Sequence, residues 1–208
     1  MDIIKRIKGI LFEPSKFFDY LVKEKNKKEK GFGNAFLFYV IMSLFVAVLA
    51  AIVGIWFQPF QMSMISKILG ISFPIMTTPI WMISLFTILG YGIGLLMSFV
   101  GAAILHVWIL IFGGKENYTE TYKLYVYSRT PSYVFAWIPF IGFFIWIWSL
   151  VLLIKGTQTM HKISRLRAIL MYAIPIVVII ILGLILLIIG LMLFKQAIAG
   201  GLIPTTIQ

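Results

Sequence analysis

Long apolar runs separated by short charged intervals set the rhythm of this chain. No Asp, Glu, Lys or Arg lies between Lys30 and Lys67, and Asn34–Phe57 is apolar almost throughout. A second uncharged interval, from Lys67 to Lys115, holds the apolar run Ile80–Phe112. Thr130–Ile154 and Ala168–Phe194 are two more. A helix rises about 1.5 Å per residue and needs roughly 20 residues to cross about 30 Å of hydrocarbon. All four runs are long enough, so the pattern predicts transmembrane helices. The second exceeds the requirement and should tilt or protrude.

The first 33 residues follow another pattern. Ile3, Ile4, Ile7, Ile10 and Leu11 recur at helical spacing with Lys5, Arg6 and Lys8 between them. After Pro14, Phe17, Phe18, Leu21 and Val22 make a second stripe. The spacing predicts two basic amphipathic helices. Such helices lie along membrane surfaces or pack their stripe on the protein's own helices, and both readings stay open here. The charges run on too long for a cleavable signal peptide, and the apolar run that follows exceeds its usual length.

Composition changes the picture from helical to membrane-embedded. Of the 208 residues 61% are apolar and only 12% charged. A soluble domain is about 45–50% apolar and about 25% charged. So much apolar surface cannot be hidden from water in one core, and lipid must be the solvent. With no cysteine there is no disulfide and no thiolate chemistry.

Charge then sets the topology. Eighteen Lys and Arg oppose seven Asp and Glu, a net +11. This balance implies anionic lipid head groups at a cytoplasmic face rather than nucleic acid. Nine of the cations precede residue 34; the 58–79 connection has Lys67 alone. The 113–123 connection has Lys115 and Lys123, and 155–167 has Lys155, Lys162, Arg165 and Arg167. Cytoplasmic segments are enriched in Lys and Arg. The bias is obeyed throughout only if residues 118–154 cross twice as a hairpin bent at Trp137–Phe140, where Pro139 disfavours helix.

The expectation is an all-α polytopic membrane protein with five transmembrane helices and N-terminal amphipathic cytoplasmic helices. Residues 1–33 form the basic cytoplasmic segment. Residues 34–194 carry the spans, near 34–57, 80–112, 118–138, 140–154 and 168–194. Residues 195–208 are a short extracytoplasmic tail. Lys123 and Arg129, inside the third span, should then snorkel toward the cytoplasmic surface.

The order of local features resembles a known family. Glu13-Pro14-Ser15-Lys16-Phe17-Phe18 follows the amphipathic opening, and Phe112-Gly113-Gly114-Lys115 follows the second span. Tyr127-Ser128-Arg129-Thr130-Pro131 and Lys155-Gly156-Thr157-Gln158-Thr159-Met160-His161 come later, in that order. Nearly the whole chain is similar to the Yip domain family, membrane proteins named for interacting with Ypt/Rab GTPases. The resemblance implies a five-span fold with a cytoplasmic N-terminus. In eukaryotes it also implies vesicle trafficking, Rab binding and helical hairpins that shape membranes. This chain departs from that branch: it lacks a long N-terminal region and an Asp-Leu-Tyr-Gly-Pro element. It is closer to compact prokaryotic members of a plasma membrane, so Rab binding is not carried over.

Catalytic patterns are missing. His106 and His161 are isolated, so no metalloprotease pair one helical turn apart exists, and no cofactor is implied. Neither a Gly-x-Ser-x-Gly elbow nor a phosphate-cradling loop occurs. Asp2, Glu13, Asp19, Glu24, Glu29, Glu116 and Glu120 all fall in or beside expected cytoplasmic segments. That placement argues against proton relay within the membrane and against an enzyme.

Three polar residues stand out by position. His106, Arg129 and His161 all fall toward the cytoplasmic side, as lipid-contact residues or as a shared polar pocket; a packing histidine and a snorkelling arginine are the bland readings. Gly90, Gly94, Ser98 and Gly101 line one stripe of the second span, suited to close helix packing within the chain or against another copy. Two functions follow. One is a non-catalytic membrane organiser, scaffold or partner-binding protein; the other is a transporter or channel subunit for a small solute, which would need a continuous polar path.

Overall fold

The computed structural model describes residues 2–25, 31–69, 79–138 and 140–199, and among these all regular structure is helical. Two compact bodies divide the chain, residues 1–168 and residues 169–208. The second, as far as it is described, continues a single helix, α8 (Arg165–Ala199). Every residue of it from Val177 to Gln196 is exposed, and Pro175 sits inside the helix rather than ending it.

The first body opens with α1 (Ile3–Phe12) and α2 (Pro14–Lys25), then α3 (Gly31–Leu69) and α4 (Ile80–Ile111). Pro14 starts α2 at the position where a missing N–H is harmless. Helix α3 runs well beyond the expected 34–57, carrying Pro59 within it, so much of the expected 58–79 connection is helical. It pairs antiparallel with α4: the Tyr39 hydroxyl donates to Gly94 O at 2.9 Å and Tyr91 to Val40 O at 3.1 Å.

Two glycines end α4. Gly113 N–H bonds Leu110 O at 3.0 Å and Gly114 N–H bonds Ile109 O at 2.9 Å, the paired bonds of a Schellman turn. Gly113 holds φ 91, a conformation open to glycine at little cost. The chain then folds back into α5 (Tyr118–Ser128) and α6 (Thr130–Phe135).

Over the expected third span, 118–138, the helix breaks at Arg129. Pro131 has no N–H to offer the carbonyl of Tyr127 four residues earlier. The Thr130 hydroxyl fills the place, donating to Tyr127 O at 2.8 Å. Helix α7 (Ile141–His161) then returns along both short helices. Phe140 enters it at φ 66, while Pro139, expected to make the bend, lies outside the described residues. Ser149 of α7 meets Ser132 of α6 at 3.0 Å, and His161 meets Thr121 of α5 at 3.2 Å, so the hairpin is antiparallel.

Around the expected span 140–154 the helix runs further, Ile141–His161. Helix continues to His161 because Gly156, Thr157, Met160 and His161 are buried, and only 162–164 link α7 to α8. A side-chain carbon on Gly156 would fall 2.3 Å from Leu124 Cδ1 of α5 and 2.8 Å from the Phe18 ring of α2. Bare glycine lets three helices meet. The tail expected at 195–208 begins as the last turn of α8; residues 200–208 lie outside the described ones.

Burial is confined to one end of this body. The buried residues of α3 are Ala35, Phe38, Tyr39 and Met42; those of α4 are Ser98, Ala102 and Ile109; those of α7 begin at Leu152. The start of α3, the end of α4, both termini of the α5–α7 hairpin and helix α2 pack together there. Phe17, Phe18 and Leu21 of α2 are buried in that packing, whereas Ile4 and Phe12 of α1 are 61% and 78% exposed.

Three stretches among the described residues are long and apolar enough to cross a bilayer: Gly31–Phe57, Ile80–Ile111 and Arg165–Gln196. Their apolar side chains are largely exposed, as lipid-facing helices require.

Candidate functional site

At the packed end lies α5, a helix whose sequence, Tyr118 to Ser128, is too polar for its surroundings. Asn117 caps it, accepting the Glu120 N–H at 3.2 Å. Eight of its eleven residues are nonetheless buried: Glu120, Thr121, Tyr122, Lys123, Leu124, Val126, Tyr127 and Ser128. Burial of so many polar groups is tolerated only where each finds a partner.

The partners come from every neighbouring helix. Lys123 Nζ donates to Glu120 Oε1 at 2.9 Å, with side chains 7% and 5% exposed. Gly31 makes room for it, since a Cβ there would lie 2.4 Å from the ammonium nitrogen. The Tyr122 and Ser98 hydroxyls are 3.2 Å apart, and Tyr118 donates to Phe99 O at 2.9 Å. Buried Arg6 of α1 donates to the Tyr127 hydroxyl, whose ring packs 5.2 Å from those of both Phe17 and Phe38.

Thr121 joins the two histidines. Its hydroxyl lies 2.8 Å from His106 Nδ1 and 3.2 Å from His161 Nε2. Which group donates depends on the imidazole tautomers, since the hydroxyl can accept from both rings or donate to one of them. Helices α4, α5 and α7 are stitched at one point.

Of the three polar residues singled out by sequence, His106 and His161 thus come together, and Arg129 does not join them. It is exposed at the α5–α6 break, with its guanidinium 4.1 Å over the Tyr125 ring. The expected snorkelling of Lys123 is corrected: a carboxylate three residues away holds it inside. Glu120 itself is 3% exposed.

The small-residue stripe of α4 divides among partners. Gly94 faces Tyr39, Ser98 faces Tyr122, and a Cβ on Gly101 would be 2.5 Å from the Tyr125 hydroxyl. Gly90 has nothing within 4 Å of where its Cβ would be and borders an open cavity of about 440 Å³ between α3 and α4. The cavity lining carries no charge, and its Ser43 and Thr87 hydroxyls bond carbonyls of their own helices at 2.6 and 2.8 Å. Among the described residues, His, Asp and Glu nowhere gather in threes as a metal ion would need.

With this geometry in place, comparison with known families is decisive: the Yip1 domain matches residues 8–188. The chain belongs to the Yip1 domain family. No curated protein and no solved structure matches it. As a Yip1 domain protein with these apolar helices it is an integral membrane protein. The motifs that carried the resemblance are packing features around α5. Gly113–Gly114 reverses the chain into it, Thr130–Pro131 ends it, and Gly156–His161 closes over it.

Proposed function

We propose that this Yip1 domain protein is a non-catalytic membrane organiser that inserts unequally into the two leaflets. The observation that carries this reading is the confinement of buried residues to one end of the first body. That end holds α2, α5 and parts of α3, α4 and α7, with α1 beside it. The far ends of the long helices present bare apolar side chains. A structure wider in one leaflet than the other favours a curved bilayer, and exposed Ile4 and Phe12 beside Lys5, Lys8 and Lys16 suit the headgroup boundary.

In this reading the packed end is cytoplasmic. It gathers the basic N-terminus, the 112–117 turn and the 162–164 link, as the positive-inside bias asks. The α5–α6 pair and α7 then complete five crossings, and α8 carries the C-terminus outward. A chain without cysteine makes the test direct. Single cysteines replacing Lys5, Lys115 and Lys162 should react with a membrane-impermeant maleimide only after the cytoplasmic side is opened, and one replacing Lys195 without that step. Labelling of Lys162→Cys from the opposite side to Lys5→Cys would remove the five-crossing reading.

The transporter alternative has less support. The polar groups of α5 bond one another and groups of the neighbouring helices rather than line a path, and the α3–α4 cavity is uncharged. Reconstitution separates the two. Vesicles loaded with the protein should narrow or form tubules in electron cryomicroscopy, in proportion to protein density. An unchanged size distribution combined with selective uptake of a small solute would favour the transporter.

A further inference from the structure

Two basic segments far apart in sequence meet at the packed end. A Cβ on Gly113 would be 3.8 Å from Arg167 Nη1, and one on Gly114 would be 3.3 Å from His161 Nδ1. The turn 112–117 therefore lies against the segment 161–167. Lys115, Lys162, Arg165 and Arg167 are all exposed there, against a single carboxylate, Glu116, which has a partner of its own.

We propose that this cluster binds the phosphate headgroup of an anionic phospholipid, a site distinct from the histidine pair behind it. Three observations point to lipid rather than to free phosphate. The apolar stretches ending at Ile111 and beginning at Arg165 each qualify as a membrane span, which sets the cluster at headgroup depth. Leu166, between the two arginines, is 67% exposed, an apolar side chain suited to acyl chains beside a headgroup. Trp108 and Phe112, with rings 5.2 Å apart at the end of α4, are aromatic residues of the kind that favour this interface. Arginine offers paired N–H donors that match phosphate oxygens, and neighbouring lysines add charge.

The inference rests on the packed end facing a bilayer surface, as proposed above. Native mass spectrometry of the full-length protein, extracted in detergent and offered phosphatidylglycerol and phosphatidylcholine, tests it. Wild type should retain phosphatidylglycerol in preference. The variant Lys162→Gln/Arg165→Gln/Arg167→Gln should lose that preference by about tenfold. A control with Lys67→Gln/Lys195→Gln, exposed cations outside the cluster, should stay within about twofold of wild type. Unchanged retention in the first variant, equal loss in both, or displacement by inorganic phosphate at matched concentration would each overturn the site. Vesicle remodelling measured on the same proteins tells the two failures apart. Wild-type remodelling without lipid preference sinks only this inference, whereas loss of remodelling in wild type sinks the reading beneath it.

Discussion

Replacing Glu120 or Lys123 alone will destabilise this protein more than replacing both. The pair is almost wholly buried, with side chains 5% and 7% exposed and a 2.9 Å contact. Removing one partner leaves the other charge without compensation in a medium of low dielectric, which costs about 3–5 kcal/mol. Glu120→Leu strands an ammonium beside Gly31; Lys123→Met strands a carboxylate at the first turn of α5. The helix N-terminus offers the stranded carboxylate some relief, so Glu120→Leu should be the worse of the two. Each single change should lower the midpoint of thermal inactivation in mild detergent by about 10 °C. The double variant, apolar on both sides, should recover most of that loss. A double variant no more stable than the worse single one would show that the two charges are not coupled.

The same pair explains where sequence reading ran short. The long apolar runs were legible because lipid demands them, and nothing else in a chain demands so many. Helix ends were not. The register 155–161 reads as a polar connection, yet Gly156, Thr157 and His161 stay helical because α2 and α5 cover them, and tertiary cover overrides local polarity. Helix α5 was misread for a related reason. Its charges suggest an interface until they are seen to satisfy each other, and the clue available was spacing. Glu120 and Lys123 are three residues apart on one helical face, and Asn117 followed by Glu120 is a helix-start signal. Topology alone brought His106 and His161 to one side, while their link, Thr121, has no sequence signature. Arg129, at the C-terminal end of α5, stands over the Tyr125 ring instead.

Gly156 is where a single methyl group has the clearest effect on the packed end. In an exposed helix, Gly to Ala gains up to about 1 kcal/mol. At Gly156 the added carbon meets Leu124 Cδ1 at 2.3 Å and the Phe18 ring at 2.8 Å. Leu124 and Phe18 are both fully buried, and Phe18 packs edge-on against Phe17, 5.8 Å between centroids. Overpacking of this kind costs about 1–3 kcal/mol, so Gly156→Ala should be destabilising despite its better propensity. Gly156→Leu should push α2 off α7 altogether. Trypsin should then cut readily at Lys16 and Lys23, which the folded protein keeps on an ordered helix. Gly92→Ala in α4 is the matched control: nothing lies within 4 Å of its Cβ position, so it should be neutral or slightly stabilising. If α2 supplies the added width in one leaflet, Gly156→Leu should also abolish vesicle remodelling while the long spans still insert. A Gly156→Leu protein with wild-type protease resistance would mean that α2 does not depend on this contact, and the unequal-leaflet account would lose its principal structural support.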